Sequence, residues 1–209
     1  AGHALGNLVL VGLAETFGSM SAALDEAGRL LGAVGRVVPA TADAVSIAAQ
    51  VGGREIVGQV AIAEAGAHAR ISDVRLVPDA PPAGPGALDA IASARQIVWA
   101  PGSLFTSIVA VCCVPEVRAA IRDARAPVVQ VANLETENET TGLDGTDHLR
   151  VVLDHGGRVD VLLYDNERGL VVDEAAVRAL GVEPISRPIA ASETEHDPKA
   201  LAAALASLG

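Results

Sequence analysis

Several segments of this 209-residue chain carry side chains able to hold a polar ligand. The first is VWAPGSLFTSIVAV, residues 98–111. An apolar run ends at Ala100, Pro101-Gly102 turns the chain, and Ser103, Thr106 and Ser107 follow as closely spaced hydroxyls. A glycine turn that opens a helix lets the backbone approach a ligand closely, and the free N–H groups of the helix N-terminus attract an anion. That is the physics of a phosphate cradle, although the segment matches neither the P-loop nor the GxGxxG pattern. The same residues also suit an ordinary serine N-cap. The second segment is the polar loop NLETENETTG, residues 133–142, which follows an apolar strand. Asn133, Thr136, Glu139 and Thr140 offer hydrogen bonds to a sugar or a base, and long loops at strand ends are often functional. Its composition equally describes a solvated acidic loop. Third, Asp147-His148 opens the next helix, with Asp144 one turn earlier. His148 there is a general base, a ligand contact or a packed side chain, and with no second His nearby a metal site is weakly indicated. Fourth, His3 and Asn7 share a helix face, with Gly2 and Gly6 beside them. No Ser-His-Asp order, HExxH or CxxC is present.

The elements that must position these residues follow from periodicity. Leu5 to Phe17 and Ser21 to Leu31 have helical spacing, the second capped by Ser19 or Ser21 and ended by Gly32. From Gly35 to Val77 the period shifts to two. Strands are expected over Arg36–Val38, Ala44–Gln50, Glu55–Ala61 and Arg70–Val77, with Gly52-Gly53 as a hairpin turn. Residues 35–77 are thus expected to form a β-rich insert or subdomain. After the Pro/Gly-rich stretch 78–86, helix and strand alternate: helix 87–94, strand 96–100, helix 104–124 broken near Pro115, strand 127–132, helix 146–155, strand 159–164, helix 174–180, strand 182–189 and helix 198–207. Apolar strands alternating with helices imply an α/β fold with a mostly parallel, Rossmann-like sheet covered by helices on both faces. Ligands of such sheets sit beyond the carboxyl ends of the strands, which directs attention to Ser103, Asn133 and Asp165.

Bulk properties narrow the function. Half the residues are apolar but only 2% are aromatic, so the core is built from Ala, Val, Leu and Ile. The net charge of −11 argues against nucleic acid as a partner, because an acidic chain gains nothing from counterion release. The adjacent Cys112 and Cys113 sit in an apolar stretch and read as small buried hydrophobes of a reducing compartment. The longest apolar run is too short for a membrane span, and no basic n-region opens the chain. The expected location is the cytoplasm.

Taken together, the segments resemble a known family. Gly2-His3-Ala4-Leu5-Gly6-Asn7-Leu8 is similar to the GHSLGNL segment of the gluconeogenesis factor family, the YvcK-type branch of the CofD-like proteins. Gly35 to Ala40 resembles its GRVLPA, and Pro101 to Ile108 its PGSLYTSV. Asn133-Leu134 through Glu139-Thr140, Gly142 and Asp147-His148 resemble NLMTQPGETDGYSASDH. Two departures stand out. The family's opening strand with its GGGTG turn, and the DDGGSSG segment after it, have no counterpart in this chain. It is therefore expected to be incomplete at its N-terminus, as a single CofD-like domain over residues 1–209. The Asn133 loop is one residue short, with Asn138 where the family has Gly.

The resemblance implies a non-catalytic regulator that binds a nucleotide-sugar of the UDP-N-acetylglucosamine kind and is linked to central carbon metabolism and to cell-wall and cell-shape control. Pro101, Gly102, Ser103, Thr106 and Ser107 would contact phosphate or sugar. Asn133, Thr136, Glu139, Thr140 and His148 would line the pocket, and Gly2, His3 and Asn7 would complete it. The alternative is a CofD-like transferase that moves phospholactate from a guanosine diphosphate donor to a deazaflavin. That activity would call for a divalent metal, with Asp147 and Asp165 as its candidate ligands; the regulator needs no cofactor. A sheet lacking an interior strand exposes edges and apolar surface, so a homo-oligomer is expected.

Overall fold

The computed structural model describes residues 5–209. Helices α1 (Leu5–Phe17) and α2 (Met20–Leu31) meet at a bend of 119°, each packed mainly on the other. The Ser19 hydroxyl caps α2 by accepting from the Ala22 N–H at 3.2 Å, and Gly32 ends it in the left-handed region at φ 65°. None of the residues of α1 is buried, and Leu5, Leu8, Val9 and Val11 are at least half exposed.

The insert is a three-stranded antiparallel sheet of β1 (Ser46–Val51), β2 (Arg54–Val57) and β3 (Ile71–Val77), in the order β2-β1-β3. Gly52 and Gly53 both have positive φ, which makes the tight turn between β1 and β2. Two expectations need correction. The strand expected over Glu55–Ala61 stops at Val57. Gly58 turns the chain at φ 103°, and the alanine-rich residues beyond it form helix α3 (Gln59–Gly66), which buries Ile62 completely. Arg36–Val38 forms no strand. Arg36 instead reaches back to Asp25 on α2 at 2.9 Å, and Pro39 follows at once.

The remaining elements build the main layer. Helix α4 (Ala87–Ser93) leads into β4 (Ile97–Trp99). A π-helical turn over Leu104–Val109 then runs into α5 (Ala110–Cys112). The chain bends by 77° before α6 (Pro115–Asp123), where the proline takes the first helical position. Then follow β5 (Val128–Val131), α7 (Gly145–Asp154), β6 (Val161–Tyr164), α8 (Glu174–Ala179), β7 (Glu183–Ser186) and α9 (Pro198–Ala206). The four strands are parallel and lie in sequence order, β4-β5-β6-β7.

Alternation along these strands decides which helix covers which face. Val128 and Leu162 point into the larger core with Leu149, Val152 and Val177 from α7 and α8. Val129, Val131 and Leu163 point the other way, against Leu201, Ala204 and Leu205 of α9. Each such fully buried aliphatic side chain contributes about 1.5–3 kcal/mol. Both faces of the sheet are therefore covered, and the polar strand ends are left at the carboxyl rim. Among the described residues no single helix is long and apolar enough to cross a membrane.

Candidate functional site

The carboxyl rim of the sheet is held by a continuous set of hydrogen bonds between the turn after β4 and the loop after β5. The Asn133 side chain pairs with the Gly102 peptide, its Nδ2 donating to the Gly102 carbonyl at 3.0 Å and its Oδ1 accepting from the Gly102 N–H at 3.2 Å. The Ser103 hydroxyl donates to Glu137 at 2.8 Å. Glu139 is only 4% exposed, and its carboxylate accepts from the Phe105 N–H at 2.8 Å, the Thr106 N–H at 3.5 Å and the Thr106 hydroxyl at 2.9 Å. The Thr140 hydroxyl accepts from the Glu137 N–H at 2.9 Å and closes a short 3-10 turn over Asn138–Thr140. The protein's own carboxylate thus occupies the helix end that the sequence offered to a phosphate.

A cleft of about 250 Å³ opens beside this network. Pro101 and Gly102 line it from the turn after β4, and Asn133, Leu134, Glu135 and Glu137 from the loop after β5. Thr194 and His196 face them from the segment that joins β7 to α9. Burial pushes His196 below the usual 6.5, against the opposing effects of the Ala132 backbone and the charge of Asp165. Its Nε2 has no protein partner. The cleft is thus lined by an imidazole, an amide and two carboxylates.

Asp165, at the end of β6, is 3% exposed and serves the scaffold. Its carboxylate accepts from the N–H groups of Glu167, Arg168, Ile189 and Ala190, at 2.9 to 3.1 Å. Burial alone would raise this carboxyl, and the four backbone donors outweigh it, so it stays below its ordinary value. Asp147 is similarly engaged. It accepts from the Asp144 N–H and from Arg150 at 3.0 Å, while its own N–H bonds the Asp144 carboxylate in a capping box. The two aspartates suggested as metal ligands are thus already occupied within the protein, and the described residues contain no cluster of three or more His, Cys, Asp or Glu placed to hold an ion.

The sequence model of CofD, 2-phospho-L-lactate transferase, matches residues 1–201. The chain belongs to the CofD family. Among CofD-family relatives, a putative gluconeogenesis factor of Deinococcus radiodurans is 38% identical over 99% of this chain and 48% of its own length. One from Mycobacterium tuberculosis is 43% identical over 80% of this chain and 52% of its own. The chain spans about half the length of these curated relatives. A crystal structure of a UPF0052-family protein from Bacillus halodurans superposes with a TM-score of 0.89 at 30% identity, covering 99% of this chain and 73% of that one.

The structure brings some of the expected site residues of this CofD-family chain together and separates others. Pro101, Gly102 and Asn133 line the cleft, and Ser103 is joined to its wall through Glu137. Thr106, Glu139 and Thr140 are buried and bonded to protein partners, so they support the rim from behind rather than facing the cleft. Thr136 and Ser107 are exposed and do not line it. His148 is 2% exposed and packed, with no partner for its Nε2. Asn7 is exposed on α1, away from the cleft lining, and no atom stands within 4 Å of where a Gly6 side chain would begin. Gly2 and His3 lie outside the described residues. Cys112 and Cys113 are free, and burial pushes the Cys112 thiol up to about 12, in keeping with a small buried hydrophobe. Sequence reasoning missed His196 and Glu137. A signal for His196 existed: it precedes Asp197-Pro198, and Asp197 caps α9 by accepting from the N–H groups of Lys199 and Ala200.

Two predictions follow from this wiring. Glu139→Ala should cost about 1.5–3 kcal/mol by urea denaturation, because it strands buried donors at the π turn; a cost within the noise would show that the carboxylate is not needed there. Burial also lowers His148 below 6.5, against the charges of Asp144, Asp147 and Glu137. A depressed histidine stabilises the fold above its unfolded value and loses that contribution as pH falls towards its folded one. The thermal midpoint should therefore drop below about pH 6.5, and His148→Gln should flatten that drop. An unchanged slope in the variant would assign the acid sensitivity to other groups.

Proposed function

We propose that this chain binds a nucleotide-sugar of the UDP-N-acetylglucosamine kind in the cleft at the carboxyl ends of β4 and β5, and that the whole protein uses this binding for regulation, without turnover. The observation that carries the reading is the cleft's lining. Asn133, Glu135, Glu137, Thr194 and His196 are suited to the hydroxyl and N–H groups of a sugar and a pyrimidine, whereas no Lys or Arg lines the cleft. The nearby cation of the same rim is Arg168, which reaches the carbonyls of Ala190 and Ala191 at 3.4 and 3.3 Å on the segment that carries His196, and it is the group we assign to the diphosphate. The name gluconeogenesis factor, carried by the relatives, supports a place in central carbon metabolism. Its extension to cell-wall and cell-shape control, and the cytoplasm as its site, complete the proposal.

The alternative is transfer of phospholactate from a guanosine diphosphate donor, which the description of the matching family supports. It requires carboxylates free to hold a divalent metal, and the oxygens of Asp147 and Asp165 are spent on backbone N–H groups and Arg150. This favours the regulator.

The first test is the thermal midpoint with and without UDP-N-acetylglucosamine, with GDP in parallel. A ligand at about 100 times its dissociation constant adds about 2.7 kcal/mol, which for a domain of this size raises the midpoint by about 5–10 °C. The UDP-sugar should give this shift and His196→Ala should remove it. A shift with GDP alone would move the assignment to the transferase. We further propose that the chain self-associates through the exposed apolar side chains of α1. Light scattering should show a dimer or larger species that Leu8→Ser weakens, and a clean monomer would overturn that part.

A further inference from the structure

Behind the rim lies a second and larger cavity, of about 390 Å³, within the range of small-molecule sites. It is separate from the cleft, and the two share no lining residue. One wall is the turn between α3 and β3, residues 66–71. The opposite wall is one face of α7, where Asp147, Arg150, Val151 and Asp154 recur at helical spacing. The floor is Phe105 and Glu139. Gly66 allows the walls to come this close, since a side chain there would begin 3.0 Å from the Glu139 Cα and 2.7 Å from the Ile71 Cδ1.

The lining divides by chemistry. Phe105, Ile71, Leu143 and Val151 make an apolar bed. Two cations and three carboxylates border it, with Glu139 committed to the Phe105 and Thr106 donors, Asp147 to Arg150, and Asp154 at the end of the α7 face. Arg150 is tied to Asp147 at 3.0 Å, whereas the Arg70 guanidinium makes no hydrogen bond or ion pair among the described residues, its backbone carbonyl alone accepting from the Gly52 N–H. An apolar body with an anionic group at one end would desolvate the bed and meet the free guanidinium.

We infer that this cavity is a second binding site, for a small amphipathic organic anion, and that it communicates with the rim through its floor. Phe105 and Glu139 belong to both. The carboxylate that accepts from the Phe105 and Thr106 N–H groups is part of the cavity floor, and the same loop carries Glu137 to the Ser103 hydroxyl and Asn133 to the Gly102 peptide. A ligand resting on Phe105 and Glu139 bears on the network that shapes the cleft. The site stands whether or not the cleft takes a nucleotide-sugar.

Anilinonaphthalene sulfonate, an apolar bicycle bearing one sulfonate, is a suitable probe. Titrated into the intact chain, it should gain fluorescence saturably. Arg70→Glu should weaken it by about tenfold or more, the equivalent of one good charged contact. Val151→Trp, which fills the bed, should abolish it. Leu8→Ser on α1 should leave it unchanged, since probe bound to the exposed helix would respond to that change instead. In the amide NMR spectrum the probe should move the Phe105 and Thr106 resonances along with Ile71 and Val151. Circular dichroism should show each variant folded. Equal binding by the wild type, Arg70→Glu and Val151→Trp would overturn the site, as would no binding at all. Shifts confined to Ile71 and Val151 would overturn the link to the rim.

Discussion

The Glu139 carboxylate at the start of the π turn is the interaction on which the rest of the site depends. A helix end leaves N–H groups without partners, and here they lie in a buried place where water cannot serve them. Glu139 meets the Phe105 and Thr106 N–H groups and the Thr106 hydroxyl together. In doing so it fixes the position of its own loop, so that Glu137 reaches Ser103 and Asn133 reaches Gly102. It also stands between the two cavities, as the floor of the larger one. A single anion supplied from within organises the rim that an external anion would otherwise have to order.

This arrangement changes what the cleft can recognise. With the helix end satisfied and Glu135 and Glu137 at the opening, the cleft is a poor place for a naked phosphate. Its two carboxylates suit groups that donate hydrogen bonds, with His196 opposite. In the proposed binding mode a nucleotide-sugar would be divided, with sugar and base in the cleft and charge at its margin near Arg168. Asp165 keeps that margin in place. Two of its four backbone bonds, from the Ile189 and Ala190 N–H groups, tie the end of β6 to the segment after β7, so the loop bearing Thr194 and His196 leaves the sheet in a defined direction.

The scaffold beneath follows from an unusual composition. With few aromatic residues, the sheet is filled mainly by Val, Leu and Ile, whose side chains alternate between its two faces. The lone tryptophan, Trp99, is buried and donates its ring N–H to the Arg158 carbonyl at 3.0 Å, so even this large side chain leaves no polar atom unsatisfied.

Much of this was legible along the chain. The parallel strands, their helices, the break at Pro115 and the Gly52-Gly53 turn are local matters of period, proline geometry and glycine φ, and all appear where the residues place them. The Pro-Gly turn at a strand end likewise marked the rim. The strand expected through Ala61 failed because Gly58 turns the chain and helix-forming alanines follow, while the wished-for Arg36–Val38 strand lost to an ion pair with α2. Tertiary structure alone decided the partners. Glu139 lies 34 residues from Phe105, and nothing local says that its carboxylate, rather than a ligand, would fill that helix end. His196 reaches the cleft only because β7 lies beside β6 and Asp165 gathers the chain beyond it. Residue type determines which groups can bond; the packing of distant segments determines which of them are already taken.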